Sequence, residues 1–148
     1  MLILNIFTIL SIGLLIGTEL CVSVFINPVL ARLDARTRSQ AVQMFATRLG
    51  RAMPLWYAAC LILLLVETWL HRQQVGLSLL IAASAIWATI ILLTILFLVP
   101  INNRMMQLDG TSFSEEAQRE HKRWTTLHHL RVLSLCAAMV CFLLALPL

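Results

Sequence analysis

The sequence predicts an all-α fold: an integral membrane four-helix bundle with a short amphipathic interfacial helix between spans one and two. Three observations carry that prediction. The chain has 148 residues, of which 60% are hydrophobic and only 12% charged, whereas soluble domains are about a quarter charged. Its apolar residues gather into four runs long enough to cross a bilayer. Nearly all of its charge falls between those runs, as it does where chain leaves lipid for water. A single membrane domain over residues 1–148 is expected, with the lipid bilayer as its main partner.

The first span covers about residues 2–30. It has no positive residues before it and exceeds the apolar stretch of a signal peptide, so it reads as an uncleaved helix. Gly13 and Gly17 would let a neighbouring helix approach closely, which leaves a homo-oligomer open. Residues 31–51 carry five arginines, with Ala41, Val42, Phe45 and Leu49 at helical spacing. That pattern predicts the short helix lying on the membrane surface. The second span runs over about 54–70, with Pro54 in its first turn. The third covers about 77–99 and stops at Pro100. Asp109–Gly110 reads as a turn, and Ser114 before Glu115 and Glu116 as a helix start. The fourth helix therefore begins outside the membrane and enters it, spanning about 126–147.

Lysine and arginine counts orient the chain. The loops after spans one and three hold Arg32, Arg36, Arg38, Arg48, Arg51, Arg104, Arg119, Lys122 and Arg123, against Arg72 alone in the loop between spans two and three. Both long loops are therefore expected in the cytoplasm and both termini outside, in an integral, multi-pass cell-membrane protein. The same placement accounts for the net charge of +4, and no nucleic-acid partner is expected. The cysteines Cys21, Cys60, Cys136 and Cys141 form no C-x-x-C pair and read as packing residues.

That topology brings four helix ends to the basic side, where the unusual polar residues gather. Trp124, His128 and Arg131 are spaced i, i+4, i+7 and share one face where the fourth helix enters the membrane. Glu19, Ser23 and Asn27 form a second polar line on the first helix. Asn102 and Asn103 follow the third span. A charge within a span costs about 2.5–3.5 kcal/mol, so Glu19 needs a partner. Arg131 enters from the same side, and a Glu19–Arg131 ion pair is expected. His121, one heptad outward, is expected in solvent, and His129 off the line. Glu67 and His71, at i, i+4 on the outer end of the second span, read as a surface ion pair. Trp87 either lines the cavity or packs. No metal site is predicted, since two such ligands do not make one. No organic cofactor is predicted, although His128 is placed where it could hold haem.

At Val99–Pro100–Ile101–Asn102–Asn103–Arg104 and Trp124-x-x-x-His128-x-x-Arg131, with Pro28 near the end of the first span, the chain resembles a family of small four-helix membrane proteins that includes the fungal anthrone oxygenases. The resemblance covers nearly the whole chain in length and span count. It implies oxidation by O₂ of a lipophilic polycyclic or phenolic carbon acid. Such chemistry needs a base and groups that hold an enolate. His128 suits the base; Arg131 and Asn102, with Asn103, suit the oxyanion; Trp124 suits stacking on a planar ring; Glu19 and Asn27 complete the wall. Two other classes compete. A lone membrane glutamate, Glu19, also suits a small proton-coupled transporter, and a membrane histidine suits a haem-binding or structural subunit.

Overall fold

The computed structural model describes residues 1–146, and over them the chain is all-helical, with no strands. Four helices are long and apolar enough to cross a membrane: α1 (Leu2–Leu30), α2 (Ala35–Leu70), α3 (Leu77–Met106) and α4 (Glu115–Ala145). The last residue predicted for the fourth span, Pro147, lies outside the described residues. The helices alternate in direction; each packs on the next in sequence, and α1 also packs on α4. The two loops rich in arginine thus share one end of the bundle, called here the basic end. Large apolar side chains such as Leu14, Leu55, Ile81 and Leu133 cover the outside, as a lipid-facing surface requires.

The amphipathic segment is helical, as its periodicity predicts, but it is not a separate element. It is the first part of α2, which runs unbroken for 36 residues with Pro54 inside it. Asp34 caps this helix, its Oδ1 accepting from the backbone N–H groups of Arg36 and Thr37 at 3.2 and 3.1 Å. The Thr37 side chain first, and then these backbone bonds, hold the exposed Asp34 carboxyl below its ordinary range. No turn separates Arg51 from Leu55, and one proline deletes one helical bond without ending the helix. Likewise α3 continues past Pro100 to Met106. At the far end of the chain, Ser114 caps α4 as expected, accepting from Ala117 N–H at 3.1 Å.

The prolines of α1 and α3 share one solution. Each is preceded by a single π turn, at Val22–Ile26 and Thr94–Leu98. In these turns Asn27 N–H bonds to Val22 O, and Val99 N–H to Thr94 O. The register shifts by one residue just ahead of the missing N–H of Pro28 and Pro100. A π turn widens the helix and is a common device at functional sites.

Two apolar cores result. The larger lies within the spans and includes Ile12, Leu15, Leu64, Leu80, Trp87 and Phe142. The smaller lies at the basic end, where Leu30, Val42, Ala46, Ile101, Met105 and Ala117 meet. There Arg104 of α3 donates to Glu120 of α4 at 2.9 Å. The cysteines divide: Cys60 packs in the larger core, whereas Cys21 and Cys136 lie on the exposed face. Gly76 admits the end of α4, since a Cβ there would stand 2.3 Å from the carbonyl oxygen of Ala145. Gly13 and Gly17 have open space beside them.

Gly76→Ala is expected to destabilise the protein by about 1–3 kcal/mol through overpacking. Gly17→Ala should leave stability unchanged or slightly raised, because alanine favours the helix. Thermal unfolding in detergent distinguishes the two, and an unperturbed Gly76→Ala melt would contradict the close approach.

Candidate functional site

The gap between the two cores is where the polar lines of α1 and α4 meet. Glu19 and His128 are almost fully buried, at 2% and 1% exposure. The Glu19 carboxylate accepts from Arg131 Nη2 at 2.7 Å through one oxygen and from the Tyr57 hydroxyl at 2.9 Å through the other. The expected Glu19–Arg131 ion pair is therefore present. His128 lies against the same oxygen, with Nδ1 3.1 Å from Oε2. Its Nε2 stands 3.0 Å from the Glu19 backbone oxygen, and its Nδ1 is 2.9 Å from Arg131 Nη2.

This geometry selects a tautomer. A carbonyl oxygen can only accept, so Nε2 carries the proton. Nδ1 then holds the lone pair and accepts from Arg131. Were Nδ1 to gain a proton, Glu19 Oε2 is already within bonding range to receive it. With Glu19 and Arg131 charged and His128 neutral, the cluster is electrically neutral, which suits its low-dielectric surroundings. Arg131 keeps its Nε–H without a partner.

A cavity of about 300 Å³ opens beside this cluster, at the lower end of the range for small-molecule pockets. Glu19, His128, Arg131, Trp124, Asn102 and Asn103 all line it. Six of the seven residues singled out from sequence thus converge. Asn27 does not reach this cavity. It lines an adjoining void of about 50 Å³ toward the basic end, where its side-chain nitrogen has no partner.

Several side chains are placed differently from expectation. His121 is buried, not solvated; its ring lies 6.2 Å from Trp124 and nearly parallel to it, at 17°. Trp124 in turn stacks on His128 at 4.6 Å and 12°. Its indole face is occupied by the imidazole, so the ring fixes His128 and offers the cavity an edge. Asn102 donates from its side-chain nitrogen to Ala46 O at 3.2 Å. Trp87 is fully buried and donates to Tyr57 O at 3.1 Å; it packs and does not line the cavity. Glu67 and His71 are not a surface pair. Both are buried, with Thr8 donating to Glu67 at 3.0 Å. Among the described residues, no three His, Cys, Asp or Glu side chains are grouped to hold a metal ion.

Sequence reasoning missed Tyr57. It is the sole tyrosine of the chain, set within an apolar run. A hydroxyl there needs a partner, and that need was the available signal.

A model of the anthrone oxygenase family matches residues 41–141. The chain belongs to the anthrone oxygenase family. The matched stretch contains Tyr57, Asn102, Asn103, Trp124, His128 and Arg131, while Glu19 and Asn27 lie before it. No curated protein and no solved structure matches the chain.

Removing either charge of the buried pair leaves the other uncompensated. Glu19→Gln and Arg131→Gln are each expected to cost about 3–5 kcal/mol. The double mutant should recover part of that loss, with a coupling of about 1–3 kcal/mol. Tyr57→Phe should cost about 1.5–3 kcal/mol through its bond to a charged acceptor. A denaturation cycle in detergent measures these values, and strictly additive losses for the first two would refute the pairing.

Proposed function

We propose that the cavity binds a lipophilic polycyclic or phenolic carbon acid and promotes its oxidation by O₂. The observation that carries this reading is His128. Its basic nitrogen is buried beside an apolar cavity, between a carboxylate and a guanidinium. In the proposed reaction Arg131 Nη2–H releases Nδ1, and the freed lone pair removes a proton from an activated CH₂ group flanked by a carbonyl. The new N–H bonds to Glu19 Oε2, which stabilises the imidazolium. The enolate oxygen takes the unpartnered Nε–H of Arg131. Asn102 and Asn103 line the same cavity, and Trp124 holds the imidazole ring in place. The electron-rich enolate then reduces O₂. Overall the CH₂ becomes C=O, and one O₂ supplies that oxygen and the oxygen of one released water. O₂ and such substrates both partition into an apolar medium, so a cavity within the spans has access to both.

The other readings fit less well. A haem iron on Nδ1 would have to displace the Arg131 guanidinium for as long as it is bound, whereas proton removal needs that lone pair only during the reaction. Glu19 is held by Arg131, so a cationic cargo would have to displace a guanidinium. We also infer, from the lysine and arginine count, that the basic end faces the cytoplasm.

His128→Ala should lower O₂-dependent oxidation of an anthrone by about 10²–10⁴-fold, measured as oxygen uptake by detergent-purified protein whose melting curve confirms folding. Full turnover in that variant would remove His128 as the base.

A further inference from the structure

Side-chain bonds tie α3 to α2 at two levels. Trp87 donates to Tyr57 O at 3.1 Å, and Asn102 donates to Ala46 O at 3.2 Å. From Ala46 to Tyr57 the chain of α2 advances about 17 Å, whereas from Trp87 to Asn102 that of α3 advances about 23 Å, at 1.5 Å per residue. With about 6 Å more length between the same two ties, α3 does not lie flat along α2. The two backbones pack along Leu77–Leu93 and again along Val99–Met106, but they part along the π turn Thr94–Leu98 between. On the basic-end side of this parting Gln43 adds a further bond, donating to Met106 O at 3.3 Å.

The cavity reaches the place where the helices part. Ala58 of α2 and Ile95 of α3 both line it, and both are exposed on the outside of the bundle. A side chain that is one methyl group can be both inner wall and outer surface only where a cavity runs out to the surface. On the opposite walls Glu19, Val22 and His128 are buried. Leu55, Leu96 and Phe97, which surround the opening, are exposed apolar side chains, so it faces hydrocarbon and not water. Its rims lie near the basic-end limits of the second and third spans, which sets it in the leaflet on that side.

We propose that the gap between α2 and α3 at the Thr94–Leu98 turn is the entry portal of the cavity, through which its substrate passes straight from the hydrocarbon of the basic-end leaflet. This rests on the reading of the cavity as a site for a lipophilic substrate, and it adds the route by which that substrate arrives. Passage there leaves the polar cluster undisturbed. The bonds of Glu19 run to α2 and α4, whereas the portal is bounded by α3, the helix without a bond to the carboxylate.

The test measures passage instead of chemistry. A fluorinated anthraquinone, dissolved in lipid bicelles with the purified full chain, exchanges between lipid and cavity, and fluorine NMR exchange spectroscopy reads both rates and the bound fraction. Ala58→Trp narrows the portal from its exposed rim. It should slow association and dissociation alike, each by about tenfold, and leave the affinity within about twofold of wild type. Ala137→Trp, on an exposed face of α4 away from the cavity, should exchange as wild type does. Unslowed association in Ala58→Trp, as expected for entry past the exposed Asn103 at the basic end, overturns the portal and leaves the site standing. Equal slowing by Ala137→Trp overturns it too, as does weaker binding by Ala58→Trp without slower dissociation. Should Ala58→Trp fail to fold, Ile95→Ala decides, because it only removes exposed side chain. Both rates then quicken if Ile95 is a rim of the portal, and unchanged rates overturn the proposal. No bound fraction in wild type overturns the proposed site and the portal together.

Discussion

A carboxylate inside a membrane helix is the constraint around which the rest of this bundle is arranged. Glu19 is withdrawn from water and answered by a guanidinium from α4, a phenol from α2 and an imidazole from α4. Three helices are thereby tied at one level by bonds that hydrocarbon strengthens and water cannot replace. Only α3 joins at that level without a bond to the carboxylate. It is held by apolar packing along α4 and by Asn102 reaching to α2. A buried pair of this kind contributes less to net stability than to uniqueness of arrangement. It fixes which faces of α1 and α4 meet, and hence where His128 points.

The legible part of the site was the part written along single helices. Glu19 with Asn27, and Trp124 with His128 and Arg131, each follow helical spacing, and the topology then faces one line toward the other. The unread parts depend on partners contributed by other helices. His121 looked solvated because its own surroundings in the sequence are charged, but Trp124 and Phe113 cover it. Glu67 and His71 looked like an exposed pair because no nearby residue announces Thr8, which lies on a helix far away in sequence. Helix boundaries failed for a related reason. Pro54 reads as a helix start and Pro100 as a helix stop, as they would be in water, where a broken helix can bond to solvent. In hydrocarbon a broken helix has no such recourse, and the cheaper solution is to continue.

The prolines also bear on why a void exists between two well-packed cores. Protein interiors close up to crystal-like density unless backbone geometry prevents it. Here a π turn in α1 contributes Val22 to the cavity wall, and one in α3 contributes Thr94 and Leu98. Facing them, α2 brings Gly50 and Pro54. Wide turns and a glycine hold the backbones apart or thin the wall. The larger core beyond and the smaller core at the basic end keep the gap from collapsing.

The division of labour across the family match follows from this. The matched region supplies the imidazole, the guanidinium, the phenol and both asparagines, whereas the carboxylate that orders them comes from the helix before it. On the proposed chemistry, His128 need only have a lone pair at Nδ1 and a place to put the charge that arrives with a proton. Arg131 defines the first by donating to Nδ1, and Glu19 provides the second. Without Glu19, the imidazolium would form beside an unpaired guanidinium in a medium of low dielectric, where like charges repel strongly. On the proposed chemistry Glu19 therefore does more than neutralise Arg131: it is the group that would let a buried imidazole beside a buried cation act as a base at all.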